Sequence, residues 1–194
     1  MQSLLRQIRA CQVCQAHLPA GVRPVVQASP DSRILLIGQA PGRRVHETGI
    51  PWNDPSGDAL RSWLGVDAEV FYDERWFALM PMGFCYPGKG PSGDLPPRPE
   101  CAPLWHQPLL AQMPHIELVV LIGQYAQKAY LKDRHRNLTE RVRDFQQYLP
   151  QQCPIPHPSP RNRHWQRNNP WFTAQVVPAL QSRVKQVLSL PDSA

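Results

Sequence analysis

The sequence predicts an α/β protein built on an open, mostly parallel sheet with helices on both faces. Short apolar runs rich in β-formers recur at Arg33 to Gly38, Trp76 to Met82, Glu117 to Gly123 and, more weakly, Cys153 to Pro156, the pattern of buried strands. Segments with helical spacing lie between or after them, at Ser56 to Leu64, Ala102 to Met113, Gln124 to Lys132 and Trp171 to Leu188. Strands alternating with helices build parallel sheets. Ligands of such sheets sit beyond the carboxyl ends of the strands, so chemistry is expected in the loops after the first, second and fourth strands.

The first strand runs into Gly38-Gln39-Ala40-Pro41-Gly42, a turn whose glycines let backbone approach a ligand and aim N–H groups at an anion. The fourth runs into His157-Pro158-Ser159-Pro160, followed by a stretch to Trp171 in which basic, amide and aromatic residues interleave. That mixture suits phosphates and flat bases better than a folded core. Held by prolines at a strand end, His157 is a candidate functional imidazole. The first of these loops is neither a P-loop nor a dinucleotide fingerprint.

A chain of 194 residues with 42% hydrophobic and 19% charged residues is a folded globular protein, long enough to bury roughly 70% of its unfolded surface. No repeat or linker interrupts it, so one domain, 1–194, is expected. No apolar run approaches the ~18 residues of a membrane span, and Met1 to Ala10 lacks the features of a secretory signal. A cytoplasmic protein with no membrane partner, and a monomer, is expected. Proline is unusually frequent at 23 residues, against a usual share of about 5%, which makes for stiff, shaped loops. The net charge is +6, and 17 of the 21 basic residues are Arg; the planar guanidinium fork suits a polyanion.

Five cysteines are present. Cys11 and Cys14 form a C-x2-C pair on an expected N-terminal helix, and Cys85 and Cys101 enclose fifteen residues with three glycines and five prolines, a loop able to fold back. Two such pairs suit one four-thiolate site for zinc or an iron–sulfur cluster, and spacing does not choose between them. A redox pair or buried free thiols are the alternatives. Cys153 fits a small apolar residue of the fourth strand.

Together, Gly38-Gln39-Ala40-Pro41-Gly42 after a strand, the Cys11/Cys14/Cys85/Cys101 spacing and His157-Pro158-Ser159 after the last strand resemble the uracil-DNA glycosylase superfamily, most closely its iron–sulfur branch, family four. The resemblance runs from about Cys11 to Leu188. It implies a three-layer α/β/α fold with a central four-stranded parallel sheet, a 4Fe–4S cluster on the four cysteines rather than zinc, and a DNA partner carrying a deaminated base that is flipped and excised. His157 then matches the histidine that hydrogen-bonds O2 of the leaving base, Trp52 the aromatic on which the base stacks, and Gln39 and Ala40 positions that line the pocket. Ser159, Arg161, Asn162, Arg163 and Arg167 would contact DNA, and the loop from Pro158 to Arg163 would hold the gap left by the extruded nucleotide.

Two departures follow. Family-four members carry Glu where Gln39 stands, followed by an acidic stretch that is here Arg43-Arg44-Val45-His46, and the Asp of other branches is replaced by Ala40. The water-positioning group is therefore sought among His46, Glu47, Asp54 and Asp58, His46 first because an imidazole titrates near neutrality. The base-reading Asn of the family, four residues before the third cysteine, is here Pro81, which leaves Asn53 or the backbone of Met82 and Gly83 to read the base. A DNA-binding module of the same fold without turnover, or a pocket for another base or nucleoside, are the competing functions.

Overall fold

A computed structural model describes residues 1–133 and 137–189; the last five positions of the expected 1–194 domain lie outside them. Four strands, β1 (Ile34–Ile37), β2 (Phe77–Leu79), β5 (Leu118–Ile122) and β6 (Gln152–Ile155), pair in the order β2-β1-β5-β6, all parallel. The registers set Ile34 beside Phe77 and Leu118, and Val120 beside Cys153. Between β2 and β5 lies a small antiparallel hairpin, β3 (Lys89–Gly90) and β4 (Gly93–Asp94), which the proline and glycine content of that loop concealed. Pro154 sits on an edge strand, where a missing N–H is tolerated.

Because alternate strand residues face opposite sides, β1 feeds two cores. Ile34 and Leu36 face one side with α3 (Pro55–Leu64) and α9 (Val177–Leu188), through Leu60, Trp63, Leu180 and Val184. Leu35 and Ile37 face the other with α1 (Gln2–Arg9), α5 (Cys101–Leu110) and α6 (Gly123–Tyr130), through Ile8, Leu109 and Ala126. Three layers result, as expected. Cys153 is fully buried in the first core, as its apolar setting suggested. Gln127, also fully buried, donates from Nε2 to the carbonyls of Leu121 and Ile155 and ties the ends of β5 and β6 together. No helix among the described residues is long and apolar enough to cross a membrane.

Several local expectations are corrected. The chain after the first strand is not all loop: α2 (Arg43–Thr48) starts at Gly42, and α4 (Ala68–Tyr72) and α7 (Leu138–Arg143) are further short helices. The segment after His157 forms a 3₁₀ turn, Pro160–Asn162, and then α8 (Arg163–Asn168). Its tryptophans serve packing: Trp165 and Trp171 meet edge to face at 5.8 Å, and Trp165 meets Phe172 at 5.7 Å. The expected Trp171–Leu188 helix opens with a wide π-turn, Phe172–Val176, ahead of α9, because Pro178 has no N–H to return to Ala174. Cys11 lies past the end of α1 and Cys14 just before a 3₁₀ turn, so the C-x2-C pair is on a turn and not on a helix.

A Cβ at Gly57, in the first turn of α3, would collide with the carbonyl oxygen of Trp52, a backbone atom with no freedom to move aside. Gly57→Ala is expected to cost about 2 kcal/mol or more as an overpacked contact, lowering the thermal midpoint by several degrees, as calorimetry would record.

Candidate functional site

A cleft of about 240 Å³ opens beyond the carboxyl ends of the strands, lined by residues of the first-strand loop, the Trp52 turn, the β3–β4 hairpin and the loop after β6. The first-strand loop is fixed by extending the β1–β2 pairing outward: Met82 N–H donates to the carbonyl of Gly38 and Gly83 N–H to that of Gln39, at 2.9 and 3.0 Å. Gln39 and Ala40 both line the cleft. The Gln39 side chain donates from Nε2 to the Leu95 carbonyl at 3.2 Å, which fastens the hairpin to the loop.

Trp52 forms one wall. Its φ of 56° lies in the left-handed region, and it is the only non-glycine among the described residues to do so; such a conformation persists where surroundings over-determine it. Those surroundings are specific. A Cβ at Gly38 would come within 2.9 Å of the Trp52 ring, so only glycine leaves room for the indole against the loop. Arg61 Nη1 reaches the Trp52 carbonyl at 3.5 Å, and the Tyr72 hydroxyl donates to the Pro51 carbonyl at 2.9 Å.

His157 stands opposite, its ring centroid 5.8 Å from that of Trp52. The Ser159 backbone N–H donates to His157 Nδ1 at 3.2 Å. That bond makes Nδ1 an acceptor, so the neutral ring carries its proton on Nε2 as a donor. Burial lowers the His157 pKa against the opposing pull of Asp54 and favours this neutral form. Asn162 donates from Nδ2 to the His157 carbonyl at 2.8 Å, and Ser159 Oγ accepts from Arg161 N–H at 3.3 Å. These two expected DNA contacts are thus partly engaged in shaping the loop. Arg161 reaches the cleft, while Arg163 and Arg167 are exposed on α8. A second hollow of about 260 Å³ shares Gln39 and His157 with the first and has Asn162 in its own wall.

His46 and Glu47 are not brought to the cleft. His46 sits on α2 with Nε2 3.0 Å from the Ala20 carbonyl and its ring against Tyr86, and Glu47 pairs in solvent with Arg43 at 2.8 Å. Helix formation turned the two side chains away from a loop they were expected to line. Asn53 is likewise not among the lining residues, its N–H being used in a turn to Ile50. The Met82 and Gly83 amides are spent on Gly38 and Gln39 and neither residue is among the lining residues, whereas Pro81 lines the cleft, with its carbonyl accepting from buried His106 Nε2 at 3.0 Å. Asp58 pairs outward with Arg61. The carboxylates that do line the cleft are Asp54 and Asp94. Asp54 caps α3, accepting from Gly57 N–H through Oδ1 at 2.9 Å, which leaves Oδ2 free of that bond. Asp94 was missed altogether; it lay in a loop whose composition pointed only to its cysteines.

Those cysteines converge. Cys11, Cys14, Cys85 and Cys101 all line one small apolar hollow of about 20 Å³ with Ile8, Phe84 and Trp105. Phe84 N–H donates to Cys101 Sγ at 3.3 Å. Burial raises the free thiols, to about 11 at Cys85 and about 12 at Cys101, so ligation there would release protons. Among the described residues no three thiol, imidazole or carboxylate groups stand in place to chelate one ion.

The family model of the uracil DNA glycosylase superfamily matches residues 25–181. The chain belongs to this superfamily. Its members are DNA glycosylases, hydrolases that act on damaged bases, so DNA is the partner the fold serves. Cys85, Cys101 and every cleft residue named above fall inside the match, whereas Cys11 and Cys14 precede it.

Because the folded His157 pKa is lowered, its NMR titration is expected to have a midpoint below about 6.5, with the Nε2-protonated tautomer above it. The neutral ring's contribution to stability is complete above the unfolded pKa and is lost as pH falls through the folded one.

Proposed function

We propose that the protein is a DNA glycosylase that hydrolyses the N-glycosidic bond of a deaminated base, flipped out of the strand, and leaves an abasic site. The observation that carries this reading is the His157 Nε2–H donor, fixed by the Ser159 amide in a cleft walled by Trp52. As the C1′–N bond breaks, its electron pair moves onto the base and charge gathers on the base oxygen. A donor already in place there acts mainly in the transition state. Trp52 offers the flipped base a flat face. Asp54, rigid at the helix cap with Oδ2 unspent on it, takes the water-positioning role first sought at His46 and Glu47. It accepts the water proton while the water oxygen bonds to C1′. Arg161, Arg163 and Arg167 meet phosphates around the cleft mouth.

The four cysteines would hold a 4Fe–4S cluster, with zinc as the alternative. All four thiols line one apolar hollow, and soft thiolates shielded from solvent are the ligands that such a cluster takes. Hydrolysis needs no electron. The group would supply a rigid crosslink between the N-terminal turn and the loop that carries the hairpin.

Base release from oligonucleotides bearing uracil, hypoxanthine or xanthine, scored by alkaline cleavage, is expected for the wild type and reduced roughly 10²–10³-fold in His157→Ala, the usual loss for one such donor. Retained DNA binding with no release from any strand would instead favour the non-catalytic module. Replacing Arg161, Arg163 and Arg167 together should weaken binding and flatten its salt dependence; an unchanged slope would place the phosphate contacts elsewhere. Anaerobically purified protein is expected to be brown with about four irons per chain, and colourless protein with stoichiometric zinc would overturn the cluster.

A further inference from the structure

The four thiols meet in a hollow whose wall is otherwise apolar, with Ile8, Leu18, Phe84 and Trp105 in it. Among the described residues that line it, Arg98 alone carries a formal charge. Its side chain is 28% exposed and also lines a larger groove between α5 and α6, so the guanidinium stands where the hollow meets the surface. The group is aimed. Glu100 grips it with two bonds, Arg98 Nε to Oε2 at 3.2 Å and Nη2 to Oε1 at 2.6 Å, the bidentate fork that fixes a guanidinium plane. Pro97 and Pro99 stiffen the backbone on either side. The same guanidinium hydrogen-bonds the Cys14 sulfur, and the Cys14 thiol donates to Glu100 Oε2 at 3.8 Å. A thiol that becomes a metal ligand loses its proton. Cys14 then has nothing to donate to Glu100, and Arg98 is the partner that remains. Four thiolates outnumber the positive charges of a zinc ion or of an oxidised 4Fe–4S core. The loaded site is therefore an anion in apolar surroundings, which is costly without a counter-charge.

We propose that Arg98 is a working part of the metal site. Held by Glu100, it supplies the counter-charge and a charged hydrogen bond to the ligated Cys14 sulfur, and so sets how firmly the site keeps its metal and how readily a cluster there accepts an electron. This rests on the four-thiolate reading above. Hydrogen bonds to ligand sulfurs and nearby charge are the means by which a protein tunes such sites. A cation favours the more negative, reduced state, so Arg98 raises the reduction potential. The Phe84 N–H on Cys101 Sγ is a donor of the other kind, neutral and fixed in the backbone; of the two, only Arg98 brings charge.

The test compares wild type, Arg98→Gln and Arg98→Lys as full chains purified anaerobically. Gln keeps an N–H donor without the charge, and Lys keeps the charge without the fork. Metal loss is followed with bathophenanthroline disulfonate for iron or EDTA for zinc, the midpoint potential by visible absorbance, and the melting of the metal-free proteins by calorimetry. Arg98→Gln is expected to lose metal roughly 10- to 100-fold faster than wild type, the usual cost of removing a partner that stands behind a ligand. Its cluster should be reduced at a more negative potential, and Arg98→Lys should recover most of both properties. The metal-free proteins should melt alike, because a partly exposed ion pair contributes little by itself. Protein that carries zinc is expected to show the same order of metal loss. Equal retention of metal by Arg98→Gln overturns the role of Arg98 and leaves the thiol site standing. Faster loss accompanied by lower melting of the metal-free variant, with no change in potential, makes Arg98 merely structural and also overturns it. Wild type that takes up neither iron nor zinc overturns the four-thiolate reading itself.

Discussion

The backbone at Trp52 is the constraint on which the site depends. A tryptophan at φ 56° is tolerated only because three neighbours are shaped around it: Gly38 with no side chain under the ring, Gly57 with none against the carbonyl, and Arg61 reaching that carbonyl from α3. The left-handed turn does two things at once. It stands the indole on the first-strand loop facing His157, and it starts α3 three residues later, behind Asp54 as its cap. Cleft wall and cleft carboxylate are thus outputs of one turn. Strain of this kind, of order 1–3 kcal/mol, persists because α3 is anchored through Leu60, Trp63 and Leu64 in the larger core.

The strands were legible because buried parallel strands are apolar runs, and all four are found where those runs lie. The layers followed from the alternation of strands and helices. Short helices were not legible: α2 is Arg43–Thr48 and α8 is Arg163–Asn168, both polar and both begun by loop residues, so neither carries an apolar stripe. That gap produced the misplaced His46 and Glu47, whose direction depends on a helix the composition hid. His157 and Trp52 were legible by motif, and the fold brings their rings to 5.8 Å of each other. Asp94 was invisible because its neighbourhood is set by hairpin pairing and by the Leu95–Gln39 bond, neither of which leaves a periodic signal.

The cysteine hollow and the cleft share a loop. Cys85 and Cys101 bracket the β3–β4 hairpin, and within that bracket Tyr86 packs on His46, Leu95 accepts from Gln39 and Pro97 packs on Gly83. The hairpin has little apolar surface of its own, and a two-stranded ribbon is marginal in isolation. Its position is fixed from outside, at one end by the thiol-lined hollow and at the other by the first-strand loop. The N-terminal turn that brings Cys11 and Cys14 therefore belongs structurally to the cleft, although it lies before the region that matches the superfamily.

Charge is distributed around the cleft in a way net charge does not reveal. Arg161 and Asp94, both exposed, line the cleft together with half-buried Asp54, and Arg163 and Arg167 are exposed on α8 nearby. Desolvation and the neighbouring Asp54 raise the Asp94 pKa, while Arg161, Lys89 and a hydrogen bond with Tyr86 oppose that rise. The cleft is therefore of mixed charge, whereas the arginines that continue from it along α8 are all of one sign and suit a polyanion. The carboxylates share the cleft with the His157 donor, so groups that favour developing positive charge and a group that favours developing negative charge stand in one space, the pairing of charges that a breaking glycosidic bond creates.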